Sequence, residues 1–201
     1  MDEGFTTYMD DRMTSDILMD KKAPNPFAGS YRNYFTYVDI GWQESQSTHI
    51  DRYKRERVAS SNAYSKGCVF LAQLGYVIGQ ENLDNTLKKY FRDFKFKHPT
   101  PNDIMRSAEK ISGMQLDWYL NEWTQTTHTI DYGIKVIANT KITLERVGRM
   151  PMPIDVSVTY MDGTAENFHI PLRMALGNKP TDAIVIENWA WAFPTYSFKV
   201  S

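Results

Sequence analysis

The hydrophobic pattern of this sequence changes its period near Tyr132. Before that point, apolar residues recur at the three- and four-residue intervals that are typical of amphipathic helices. After it, the chain consists of short segments rich in β-branched and aromatic residues. Because a run of helices followed by a run of strands does not give a βαβ arrangement, we predict an α+β fold. The expected domains are a helical domain over residues 1–131 and a small antiparallel β-sandwich over residues 132–201.

The first helix is predicted at the N-terminal end, with one buried face formed by a stripe of apolar residues. The stripe consists of Phe5, Tyr8, Met9, Met13 and Ile17. Residues 21–62 show no sustained period, which indicates a long surface excursion with a short helix near Arg52 to Val58. An almost wholly apolar helix follows from Tyr64, and Gly79 is expected to end it.

Three more helices are predicted before the change of period. Thr100 is the expected N-cap of the middle one, with Pro101 at its first position and Gly113 at its end. The predicted apolar faces of the three helices are Leu83, Leu87, Tyr90, Phe91 and Phe94; Ile104, Met105, Ala108 and Ile111; and Leu116, Tyr119, Leu120 and Trp123.

Six strands are predicted in the remainder of the chain. The segments are GIKVIAN, KITLERVG, PIDVSVTY, AENFHIPL, AIVIEN and TYSFKV. Asp162 and Gly163 separate the third segment from the fourth, and an Asp-Gly pair in that position predicts a hairpin.

Composition excludes several classes of function. The 23 basic and 24 acidic residues nearly balance, so the sequence predicts no nucleic-acid partner. No apolar stretch reaches the roughly 20 residues that a membrane-spanning helix needs. The only cysteine, Cys68, lies in an apolar run and is interpreted as a buried, inert thiol. The cellular compartment stays open.

Familiar catalytic motifs are absent from the printed sequence. The four histidines are isolated from one another, no His-Glu-x-x-His word occurs, and no cysteine pair completes a zinc site. There is also no glycine-rich phosphate loop and no Gly-x-Ser-x-Gly nucleophile motif. Composition and period alone therefore give a helical part followed by a β part, without an activity.

Three short segments of the sequence nevertheless resemble one family. They are DEGFTTY at residues 2–8, AYSKG at 63–67 and ISGMQLDWYLNEWTQTT at 111–127, followed by the predicted β-sandwich. In this order they resemble the C-terminal part of the gluzincin zinc aminopeptidases, the relatives of aminopeptidase N and leukotriene hydrolase. The resemblance implies the helical C-terminal part of a gluzincin catalytic domain, zinc as cofactor and a peptide as substrate.

Glu3 matches the third zinc ligand of that family. A carboxylate beside two neutral imidazoles leaves zinc one open position, where a bound water is acidified. The alternative interpretation is that Glu3 only complements the positive end of the first helix.

Tyr64 matches the catalytic tyrosine of the family, whose phenol donates a hydrogen bond to the oxyanion formed during hydrolysis. The alternative is an ordinary half-buried tyrosine at a helix start. Lys66 and Gly67 are interpreted as structural, the first as a snorkelling lysine and the second as a point of close helix approach. Trp118 and Trp123 are candidates for the core.

The sequence departs from the family in lacking the His-Glu-x-x-His helix and the Gly-x-Met-Glu-Asn strand. We therefore expect a C-terminal piece of such an enzyme, inactive by itself and without bound zinc. Action on a free amino terminus rests on the resemblance alone. The alternative is a non-catalytic scaffold of the same fold, although the presence of both Glu3 and Tyr64 favours a peptidase.

Overall fold

The computed structural model describes residues 2–18, 25–138, 141–159, 162–170, 183–187 and 195–199. The chain divides into two compact units, residues 1–127 and residues 128–201, and each is described by itself.

The first unit contains helices joined by loops, and its described residues include no strand. Its α-helices are α1 (Asp2–Met13), α2 (Ala28–Asp39), α3 (Glu56–Ser61), α4 (Gly67–Ile78), α5 (Gln80–Phe94), α6 (Pro101–Ser112) and α7 (Asp117–Gln125). Two π-helical turns, Thr14–Leu18 and Asn62–Lys66, and a 3₁₀ turn, Ile50–Arg52, complete it. None of these helices is both long enough and apolar enough to cross a bilayer, in the part of the chain that the structure describes.

The predicted helix ends are confirmed at three positions. The Thr100 backbone N–H donates to Asp103 Oδ2 over 2.7 Å at the start of α6, with Pro101 as its first residue. Gly113 ends the same helix with φ 71°, and Gly79 follows α4 with φ 87°. Both glycines therefore stop a helix in a conformation that a side chain disfavours.

Helix α4 supplies the centre of the core. Leu71 and Leu74 are fully buried, and α4 packs against both α1 and α5. From α7, Trp123 is buried and Tyr119 donates its hydroxyl hydrogen to the Phe70 carbonyl over 2.6 Å. The prediction of a central apolar helix is thus confirmed, and so is the core position of Trp123. Trp118 is only partly buried.

Helix α2 lies within residues 21–62, where a surface excursion was predicted, so that prediction was wrong for this segment. Residues 19–24 are outside the described residues. The helix was missed because its buried side chains, Ser30 and Tyr34, do not form a hydrophobic stripe. The short helix expected near Arg52 to Val58 is a 3₁₀ turn followed by α3.

The predicted buried stripe of α1 was also wrong. Tyr8 is fully buried, but Met9, Met13 and Ile17 are exposed. The buried residues of α1 are Gly4, which contacts Gly67 of α4, and Tyr8; glycine carries no signal in a hydrophobic pattern. In α5, Phe91 is likewise exposed.

The second unit consists of antiparallel strands. They are β1 (Tyr132–Ala138), β2 (Lys141–Arg146), β3 (Ile154–Thr159), β4 (Ala165–Ile170), β5 (Ala183–Glu187) and β6 (Thr195–Lys199). They form two sheets of order β1-β2-β5 and β4-β3-β6, with Ile134 opposite Leu144 and Val156 opposite both Phe168 and Phe198. All six predicted strands are present.

The core of this unit lies on one face of β3. Ile154, Val156 and Val158 are buried and alternate with less buried residues, as expected for a strand with one face in a core. Residues of both sheets pack on them, among them Ile134 and Phe168. The hairpin at Asp162 and Gly163 is confirmed by the pairing of β3 with β4. Together the two units confirm the α+β fold class.

Candidate functional site

The first turn of α1 packs directly on the junction between the π-helical turn Asn62–Lys66 and α4. A Cβ atom placed on Gly4 would lie 2.6 Å from Gly67 Cα and 3.0 Å from the Ala63 carbonyl oxygen. Such distances leave no space for a side chain, so the two backbones are in contact. The close helix approach predicted at Gly67 is confirmed. Glu3 and Tyr64 are each next to one of the contacting residues.

Glu3 occupies the first turn of α1 and is partly buried. Its carbonyl oxygen accepts a hydrogen bond from Thr7 Oγ1 over 2.8 Å, as part of a continuous helix. Its side chain shares a hydrogen bond with Asp2, and this bond lowers the pKa of Asp2 below the usual value for an aspartate. The neighbouring acidic pair therefore lies at the helix end where negative charge is stabilised.

Tyr64 lies in the middle of the π-helical turn and is half exposed, with 50% of its surface accessible. Its hydroxyl has no hydrogen-bond partner among the described residues. A phenol in this condition is able to donate its hydrogen to a bound molecule. π-Helical turns inside helical segments occur frequently at functional sites.

Lys66 does not snorkel, so that interpretation was wrong. The residue is 2% exposed, and no carboxylate within the described parts of the chain pairs with it. Its Nζ lies 5.8 Å from the ring centre of Tyr34, and burial lowers the pKa of Lys66 to about 8. Residues two positions apart in a helical turn lie on roughly opposite sides of it. Lys66 is therefore buried where Tyr64 is exposed.

Sequence reasoning missed the side chains that form hydrogen bonds with this turn. They belong to the segment that precedes α3, where Gln46 and Tyr53 form hydrogen bonds with Asn62. No pattern in the sequence marks them, since such contacts join residues that are distant along the chain.

A cavity of about 210 Å³ lies in the same unit, beside Gly67. Its walls are apolar side chains together with uncharged amides and hydroxyls. The polar lining residues include Gln46, Asn102 and Thr124, while neither Glu3 nor Tyr64 lines it.

The described residues do not fit a zinc ion by themselves. No group of three or more His, Cys, Asp and Glu side chains that is able to hold a metal occurs among them. Glu3 is a single carboxylate of the kind that zinc accepts, whereas a zinc site needs three or four protein ligands.

Comparisons with known proteins find one matching family and a similar fold. A family model described as the Peptidase family M1 domain matches residues 1–123. A similar fold occurs in the crystal structure of aminopeptidase A of Legionella pneumophila in complex with aspartic acid, with a TM-score of 0.57 and 15% sequence identity. That match covers 96% of this chain and 22% of the Legionella chain. No curated protein sequence matches this chain.

Proposed function

Since the chain belongs to peptidase family M1, we propose that it forms part of a zinc-dependent peptidase that removes amino-terminal residues from peptides. The proposal concerns a complete enzyme, because this chain spans only 22% of the length of the Legionella chain. Family membership makes peptide hydrolysis the first function to test. The proposal also includes zinc as the cofactor, a preference for a free amino terminus, and roles for two site residues, Glu3 and Tyr64.

The contact between Gly4 and Gly67 is the observation that carries the proposal. It brings the turn that contains Glu3 against the turn that contains Tyr64, although the two residues lie far apart in the sequence. We propose that an acid and a phenol from separate helices thereby act on the same substrate. A scaffold protein has no need of this juxtaposition.

Glu3 is proposed as one zinc ligand, with the remaining ligands supplied by residues that this sequence does not contain. When bound, such a metal supplies a nucleophile at neutral pH by acidifying a water molecule. Because the described residues do not form a zinc site by themselves, we propose that this chain alone is inactive.

Tyr64 is proposed as the donor that stabilises the substrate carbonyl oxygen as it gains negative charge. A fixed phenolic donor stabilises the charged state more than the neutral carbonyl, which lowers the barrier to hydrolysis. Its half-exposed position suits this role, as does a hydroxyl with no hydrogen-bond partner in the part of the chain that the structure describes.

Turnover of an aminoacyl reporter by the complete enzyme tests the proposal. Tyr64→Phe removes only the hydroxyl and is expected to lower kcat by about 10²–10³-fold with zinc content unchanged. Glu3→Ala is expected to lower both zinc content and turnover. Tyr37→Phe, a tyrosine of α2 outside this site, is the matched control and is expected to keep full activity. An unchanged kcat in Tyr64→Phe would favour the non-catalytic scaffold.

A further inference from the structure

The π-helical turn Asn62–Lys66 is buried at its two ends, whereas α1 packs on Ala63 and Tyr64 is exposed. Asn62 is 6% exposed and Lys66 is 2% exposed, whereas Tyr64 between them is 50% exposed. The direction of the phenol therefore depends on how the buried ends are held. The two ends are held in different ways.

Asn62 is the end with directional contacts. Its Nδ2 donates to the Glu44 carbonyl oxygen over 2.9 Å and to the Tyr53 hydroxyl oxygen over 3.1 Å. Its own carbonyl oxygen accepts a hydrogen bond from Gln46 Nε2 over 2.8 Å. Tyr53 in turn donates its hydroxyl hydrogen to the Ser45 carbonyl over 3.0 Å. Both hydrogens of the Asn62 amide are thus used.

The segment that receives these bonds is itself fixed to α7. Ser47 N donates to the Thr124 carbonyl oxygen over 2.9 Å, and Ser45 Oγ donates to the same oxygen over 2.7 Å. Asn62 therefore connects the turn to a segment that is itself hydrogen-bonded to α7.

Lys66 holds the other end, and no described residue forms a hydrogen bond or ion pair with its side chain. Its contact with the face of the Tyr34 ring tolerates sliding, since a cation over an aromatic ring has no fixed bond direction. A rotation of the turn about its axis is consequently resisted at Asn62 more than at Lys66.

We infer that Asn62 is a positioning residue for Tyr64, acting through its side-chain amide on the orientation of the π-helical turn. The inference rests on the proposed function, because orientation of the phenol matters only if Tyr64 meets the substrate. A misplacement of about 1 Å in a catalytic group is enough to cost about 10²-fold in rate. Because Asn62 is 6% exposed and both hydrogens of its amide are bonded within the protein, we assign it no contact with the substrate.

The experiment uses the complete enzyme with Asn62→Asp, which keeps the size of the side chain but removes both N–H donors. The expected result is a fall in kcat of about 10-fold or more with KM changed less than about 2-fold, because binding elsewhere is untouched. Tyr53→Phe removes one of the two oxygens that accept from the Asn62 amide. It is expected to lower kcat by a smaller factor, again with little change in KM. Ser65→Ala, in the same turn but outside the hydrogen-bond network, is the control and is expected to keep kcat.

One further variant and a comparison with Tyr64→Phe make the outcome decisive. Asn62→Gln restores an amide, and partial recovery of kcat relative to Asn62→Asp is expected. If Asn62→Asp does not fold, Tyr53→Phe alone decides the matter. Should Tyr64→Phe lower kcat while the folded Asn62 or Tyr53 variant retains it, the positioning role is wrong and the proposed function stands. Should Tyr64→Phe retain kcat, the proposed function fails and the positioning role fails with it.

Discussion

Gly4 in α1 and Gly67 at the start of α4 lie with their backbones in direct contact. A Cβ atom on Gly4 would be 2.6 Å from Gly67 Cα, and one on Gly67 would be 2.9 Å from Gly4 Cα. Glycine at both positions lets the helices approach closely enough for Glu3 and Tyr64 to occupy neighbouring turns. The geometry of the proposed site therefore depends on two residues that have no side chain.

Alanine at Gly4 is expected to push α1 away from α4. The added methyl group meets backbone atoms that have no rotamer to adopt, so the free energy of unfolding should fall by about 1–3 kcal/mol. Urea denaturation measures this change. Gly29→Ala in α2 is the matched control, because a Cβ there meets nothing within 4 Å. Equal stability of the Gly4 and Gly29 variants would contradict the close contact.

Replacement of Lys66 by methionine is expected to stabilise the chain most at neutral pH. Burial lowers the pKa of Lys66 to about 8, so below this pH the folded state carries a buried charge. Between pH 8 and the ordinary lysine value of 10.5 the unfolded chain binds more protons, and wild-type stability rises with pH. The advantage of Lys66→Met should thus shrink by about 2–3 kcal/mol between pH 7 and pH 10.

Unfolding curves of the two proteins at several pH values give this difference directly. Taking the difference removes the contribution of Tyr31 and Tyr34, whose pKa values burial raises to about 12. Lys88→Met, at an exposed position of α5, is the control and should show no comparable trend. A constant difference across the pH range would mean that Lys66 is not held in an apolar environment.

The ion pair between Arg12 and Asp84 is expected to stabilise the packing of α1 against α5. Arg12 Nη2 donates to Asp84 Oδ2 over 2.9 Å, and the guanidinium also contacts Oδ1, which lowers the pKa of Asp84. A lowered carboxylate pKa contributes stability at neutral pH that is lost as the pH falls through the folded-state value. Asp84→Asn should cost about 1 kcal/mol at pH 7 and progressively less below about pH 4. An undiminished cost at pH 3 would contradict an ionic origin.

Cys68 is expected to be unreactive in the folded chain. It is fully buried, and burial raises the pKa of its thiol to about 12, so the reactive thiolate is scarce at neutral pH. Iodoacetamide at pH 8 should label the native protein far more slowly than the urea-unfolded protein, as measured by mass spectrometry. Because Cys68 is the only cysteine, the labelled site is unambiguous. Similar rates in both states would show that α4 opens readily.

The helices and strands of this chain were largely predictable because local signals determine them. Thr100, Pro101 and Gly113 mark both ends of α6, and the change of period near Tyr132 separates helices from strands. Helix α2 was not predictable from its pattern, because Ser30 and Tyr34 give no hydrophobic stripe.

The surroundings of the candidate site were less predictable than its residues. Glu3 and Tyr64 each lie in a short continuous segment. A resemblance between such segments and a known family was therefore enough to identify them as candidates. By contrast, the bonds of Asn62 to Gln46 and Tyr53 join separate segments, and only the fold brings them together. The burial of Lys66 was missed for the same reason.

A crystal structure of the complete enzyme with zinc, using the anomalous signal to locate the metal, tests the central claim most directly. The account predicts a Glu3 carboxylate oxygen about 2.0–2.2 Å from the ion, and the Tyr64 hydroxyl within about 10 Å of that carboxylate. Both distances come from the same map, so the two assignments are tested together. A zinc ion bound without Glu3, or a Tyr64 hydroxyl directed to another side of the helical unit, would contradict it.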